Sequence, residues 1–162
     1  MPKIKINESV LYMGVDPGKA GGIAVVTVDR ESWSYDMPES DRDIWSIFKT
    51  VSQERKVFAY IEKVHSMPQQ GVASTFTFGT SFGKLLMALT AAEISYELVT
   101  PRSWQKALEI PARKKTEQPG QFKKRLKNTA ECLFPQESVT LKTADALLIA
   151  EFCRRKENGK CV

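Results

Sequence analysis

"YMGVDPGKAGGIAVVTVD", residues 12–29, sets two apolar runs on either side of an acid-Pro-Gly turn. Residues 11–16 and 21–28 read as strands, and "DPGKAGG" between them supplies turn chemistry. Asp16 stands where the first strand leaves the sheet. An aspartate in that place either initiates the turn or holds something beyond the strand end, a metal or a phosphate. The rest of the chain has to separate these uses.

Working outward, "SWSYDM" (32–37) gives a third strand and completes an antiparallel meander. "PESDRDIWSIFKTVSQE" opens with acids and spaces Ile44, Ile47, Phe48 and Val51 as a helix does. "KVFAYIEKV" is a buried-type strand that carries Glu62. A Gly-, Pro-, Gln- and Ser-rich loop follows, then an apolar helix over 81–93. "SYELVTP" is the fifth strand, and Pro101 opens a short helical turn. Residues 109–120 form a basic loop with two prolines, the segment expected to be most flexible. "QFKKRLKNTAECLF" and "ADALLIAEFCRRKEN" close the chain as helices. The predicted order βββ-α-β-α-β-α-α gives an α/β fold: a five-stranded mixed sheet with helices on both faces.

At 162 residues the chain is expected to be one domain, 1–162, with its core over about 10–157. With 42% apolar and 27% charged residues the composition is that of a globular protein. No apolar stretch approaches the roughly 20 residues of a membrane span. "MPKIKINES" has no signal-type core, which predicts a cytoplasmic protein with no membrane partner. Cys132, Cys153 and Cys161 are expected as free thiols, and a single histidine argues against a cysteine/histidine zinc site. The net charge of +5 is unevenly spread: residues 101–130 hold nine Lys/Arg against Glu109 and Glu117, while the first hundred residues are nearly neutral. That block is either a solvated lysine-rich surface or the footprint of a polyanion.

Asp16 ends the first strand, Glu62 the fourth, and Asp145 begins the last helix. In the predicted topology strand 1 lies beside strand 4, so the three acids converge at one sheet edge. Singly, Asp16 has a turn reading and Asp145 a helix-dipole reading. Glu62 is harder to dismiss, because it interrupts a strand that otherwise looks buried. Together, packed carboxylates repel one another and are best stabilised by a divalent cation, with oxygen ligands favouring Mg²⁺ or Mn²⁺.

Five stretches, "GVDPGKAGGIAVV", "IEKVHSMPQQGVASTFTFGTSFG", "LVTPRSWQKAL", "KKRLKNTAECLFP" and "ADALLIAEF", run in this order from about residue 12 to 155. On them the chain resembles the RuvC-like Holliday-junction resolvases of the ribonuclease H superfamily, particularly the phage-encoded and plant-organellar branch. The resemblance implies a ribonuclease H-like fold, in a phage or bacterial context. It implies a homodimer that binds four-way or branched DNA and nicks two opposed strands with Mg²⁺, Mn²⁺ substituting. By position, Asp16, Glu62 and Asp145 match its metal-binding acids. Phosphodiester hydrolysis with two ions about 4 Å apart needs no histidine base and no small-molecule cofactor. His65 is accordingly read as structural or substrate-side.

In "MPQQGVASTFTFGTSFG", Phe82 is expected to start the apolar helix. The resemblance implies an aromatic wedge at the junction centre, with Phe76 or Phe78 the candidate. Gln69 and Gln70 are candidate DNA contacts beside it. Helix 81–93 is apolar over more than one face, as a helix shared with a dimer partner would be. Lys123 and Lys124 align approximately with a basic residue that the family places near the scissile phosphate; general phosphate binding by a basic helix explains them equally. Arg113, Lys114 and Lys115 are further phosphate contacts. One position departs from the pattern. The family carries a fourth metal-directed Asp or His about one turn before the final acid, where this chain has Leu141 and Lys142. Lys142 then faces DNA, or takes over part of a cation's charge, or marks an impaired enzyme. Two other functions share these features: a non-cleaving branched-DNA-binding protein on a nuclease fold, and an actin/Hsp70-like ATPase fragment with a similar first phosphate loop.

Overall fold

Residues 10–53, 55–64 and 71–158 are described by the computed structural model. The five strands are β1 (Val10–Asp16), β2 (Gly22–Val26), β3 (Ser32–Asp36), β4 (Lys56–Glu62) and β5 (Ser95–Val99). They form one sheet in the order β3-β2-β1-β4-β5, antiparallel through β3, β2 and β1 and parallel from β1 to β4 to β5. The helices are α1 (Asp41–Ser52), α2 (Val72–Ala91), α3 (Pro101–Ala107), α4 (Pro119–Leu133) and α5 (Ala144–Asn158).

Strand alternation divides the core in two. Tyr12, Ala24, Val26 and Tyr60 point to one face and pack with Trp104, Leu126, Ala130, Phe134 and the Ala146–Ala150 segment of α3, α4 and α5. Leu11, Met13, Val15, Ile23, Val25 and Ile61 point to the other, against Ile47, Phe48 and Val51 of α1 and Leu85 and Leu89 of α2. Both faces are covered, as the alternating order predicts. Gly14 lets α5 lie on β1 at backbone contact: a Cβ there would sit 2.1 Å from the Ala146 carbonyl oxygen and 2.4 Å from the Ala150 nitrogen.

One sequence expectation is corrected. Phe76 and Phe78 do not lie in a loop ahead of a helix over 81–93. α2 begins at Val72 and carries both. The Thr, Ser and Gly residues that look like breakers are absorbed into it. Thr80 and Ser81 bond the carbonyls of Phe76 and Thr77 at 2.8 and 3.0 Å, and around Gly79 and Gly83 an added Cβ would meet nothing within 4 Å. The basic loop before α4 is tied to that helix. The Arg125 guanidinium holds the Pro111 carbonyl at 2.8 Å and both Glu117 carboxylate oxygens at 3.0 and 2.9 Å, a bidentate clasp. Cys132 and Cys153 are free thiols, as expected. No helix among the described residues is long and apolar enough to cross a membrane.

Candidate metal centre and nucleic-acid interface

The β1–β2 turn begins at the acid. Gly18 takes a φ of +103°, and the Gly21 N–H closes the turn on the Gly18 carbonyl at 3.0 Å. Asp16 is thereby left as the last residue of β1. Val15 pairs with Ile61, so Glu62 ends β4 beside it. The third acid comes from the other direction. The Thr140 hydroxyl accepts the N–H groups of Lys142 and Thr143 at 3.2 and 3.1 Å, which turns the chain into α5 and puts Asp145 in its first turn. α5 lies across β1, so Asp145 arrives over the ends of β1 and β4.

The three carboxylates interact electrostatically. Burial first, then repulsion from Asp145 and Glu62, pushes the Asp16 carboxyl up to about 8, with Lys123 opposing. Burial also raises Glu62, and the indole N–H of Trp104, 2.8 Å from its Oε2, pulls it back. Asp145 is 5% exposed; its Oδ2 receives the ammonium of Lys123, and its Oδ1 is buried without a hydrogen-bond partner among the described residues. Burial would discharge Lys123, but Asp145, Asp16 and Glu62 outweigh it and hold its pKa above the ordinary lysine value.

These observations test the fit to a cation. Among the described residues, no three acidic, His or Cys side chains are set as they stand to enclose an ion. Lys123 is the positive charge among the acids. With Asp16 holding its proton, the Glu62 and Asp145 carboxylates face one ammonium, and the orphaned Asp145 Oδ1 is a buried acceptor with nothing among the described residues to accept. The donor set is all oxygen, which suits a hard dication. The residues fit.

Lys123 reaches this site because α4 turns it, with Leu126 and Ala130 three and seven residues on, toward α5. Lys124, about a quarter-turn further round, is exposed and ion-pairs with no described residue. Lys142 is exposed, with its ammonium 3.4 Å from Asp36 Oδ2. Asp36 ends β3 and pairs with Gly22, which pairs with Asp16, so the row of strand ends carries one more acid than the sequence reading named. Phe78 lies against the Asp16 turn, its ring edge 3.2 Å from where a Gly18 Cβ would be. With Lys19, Lys84 and Lys142 it lines a cleft between that turn and α2. Phe76, at 75% exposure, stands apart from this cleft on the outer side of α2. Arg113, Lys114 and Lys115 project from the loop that Arg125 clasps. His65, Gln69 and Gln70 fall outside the described residues.

No family model matches the chain, and no curated protein matches it in sequence. Solved structures do match its fold. The Thermus thermophilus RuvC structure superposes with a TM-score of 0.63 at 18% identity, covering 92% of this chain and 96% of that one. T. thermophilus RuvC in complex with a Holliday junction substrate gives the same TM-score at 17% identity, covering 93% and 96%. The chain has the RuvC fold. In this RuvC-like frame the acids, Lys123 and the Phe78 cleft share the sheet edge at the β1, β3 and β4 ends.

Trp104 was missed from the sequence as a member of the site. Its only local signal is its place three residues after Pro101, in the helix that follows the strand beside β4.

Proposed function

We propose that the chain is a structure-selective endonuclease that resolves four-way DNA junctions by paired, metal-dependent phosphodiester hydrolysis, working as a homodimer. The observation that carries this reading is the Asp145 Oδ1, buried beside Asp16, Glu62 and Lys123 and unpartnered among the described residues. The RuvC fold, shared with a relative solved on a Holliday junction, supports the substrate class.

Asp16, Glu62 and Asp145 would hold the ions, Mg²⁺ with Mn²⁺ as substitute and two per site. Once bound, these supply charge neutralisation at the attacking and leaving oxygens. Asp16 gives up its proton when the site fills. Lys123 moves its positive charge from Asp145 onto the scissile phosphate, and Lys124, Arg113, Lys114 and Lys115 bind the flanking backbone. Lys142, paired with Asp36 at the cleft, exchanges that partner for phosphate. Phe76 is the exposed ring available to bases unstacked at the junction, with Phe78 supporting the Asp16 turn. Gln69 and Gln70, which lie outside the described residues, are further DNA contacts on this reading. On α2, Val72, Gly79, Gly83 and Met87 share one exposed stripe that fits the same helix of a second copy.

One observation favours a second reading, a branched-DNA binder that does not cut: the Lys123 ammonium already occupies Asp145. The test separates the two. Asp16→Asn, Glu62→Gln and Asp145→Asn should each lower junction cleavage in Mg²⁺ by at least about a hundredfold while leaving junction affinity within a few-fold, a pure loss of transition-state stabilisation. Near-normal nicking by any one variant removes that residue from the site. Wild type that binds without cutting establishes the second reading.

A further inference from the structure

We infer that Trp104 is a positioning residue for the metal centre: its indole N–H fixes Glu62 through Oε2, so that Glu62 offers Oε1 to a cation. The inference rests on the proposed metal site and adds to it a residue that touches neither ion nor DNA.

The placement follows from backbone structure. Glu62 pairs with Val99 across β4 and β5, and the Lys63 N–H bonds the Val99 carbonyl at 2.7 Å, so the two strand ends are tied together. The next residue, Thr100, caps α3 by accepting the Ser103 N–H at 3.2 Å, and Pro101 occupies its first turn. One turn later Trp104 faces inward at 1% exposure. A buried indole must give its one proton to an acceptor. Here the acceptor is the half-buried carboxylate at the sheet edge, 2.8 Å away and 42 residues distant in sequence.

The bond prepares the carboxylate for a ligand. It removes one of the two oxygens from competition, so Glu62 presents a single defined donor. Partners of this kind are typically worth about 10- to 100-fold in metal affinity.

The test replaces Trp104 with β-(3-benzothienyl)alanine, which keeps the bicyclic shape and has sulfur where the N–H was, and alternatively with 7-azatryptophan, which keeps the N–H. Mn²⁺ binding to the free protein is read by electron paramagnetic resonance, beside the metal-free melting temperature. The benzothienyl protein should melt like wild type yet bind Mn²⁺ about tenfold more weakly, and the azatryptophan protein should bind as wild type does. Trp104→Phe should show the same weakening. Unchanged Mn²⁺ affinity in the benzothienyl protein overturns the inference and leaves the metal site standing. A wild type that binds no Mn²⁺ overturns the metal site itself, and this inference with it.

Discussion

Asp16 shows how a single residue carries the energetic signature of this site. Its carboxyl, raised from 3.8 to about 8 by burial and by two acidic neighbours, keeps its proton in the metal-free fold at neutral pH. The folded pKa lies above the unfolded one, so the stability Asp16 contributes is fully present below about pH 4 and is lost as pH rises through about 8. The melting temperature of the metal-free protein should therefore fall over that range more steeply than that of Asp16→Asn; parallel profiles would mean Asp16 titrates normally. Mn²⁺ affinity should move the opposite way, rising as pH climbs toward 8, because binding displaces the proton. At this scale Asp16, Glu62 and Asp145 were legible in the sequence, since each marks the end of a strand or the start of a helix. Trp104 and Asp36 were not. Trp104 acts through a contact that only tertiary structure makes, and Asp36 joins the row of acids only through the register of β1, β2 and β3.

Helix α2 is the element in which local signals mislead. Two glycines and a run of Thr and Ser argue against a helix, yet α2 is twenty residues long and largely apolar. Its buried side, Leu85 and Leu89, accounts for one face alone. The outward stripe leaves Val72 at 88% and Met87 at 64% exposure, far more than an amphipathic surface helix needs to leave in water. The glycines between them allow a second helix to approach closely. Met87→Glu places a charge in that seam and should convert a dimer to monomer in sedimentation, with the metal-free melting temperature nearly unchanged. A dimer that survives the substitution locates the interface elsewhere. β1, β2 and β4 were legible as apolar runs bounded by turn residues, and α1 because its apolar residues keep helical spacing. The Arg125 clasp on the loop before α4 was not legible, because it comes from a helix residue rather than from the loop's own sequence.

Across the whole molecule, charge and fold converge. The RuvC-like sheet brings the acids to one edge, and α4 carries the basic segment to the same edge through Lys123. On the proposed function this edge meets a phosphate backbone by position and by electrostatics, so affinity should fall steeply with salt. Each phosphate contact contributes about −0.9 to the log-log slope on duplex DNA. Replacing Arg113, Lys114 and Lys115 together with Gln should flatten the slope by about 2–3; an unchanged slope would put that loop away from DNA. The central claim, that this sheet edge is a metal-dependent junction nuclease, is tested most directly by one assay. A four-way junction labelled on each strand is incubated with the wild-type protein in Mg²⁺ and, separately, in EDTA, beside a linear duplex. Paired nicks in opposed strands of the junction, absent in EDTA and absent on the duplex, are the predicted result; an intact junction in Mg²⁺ at protein concentrations that bind it fully would contradict the account.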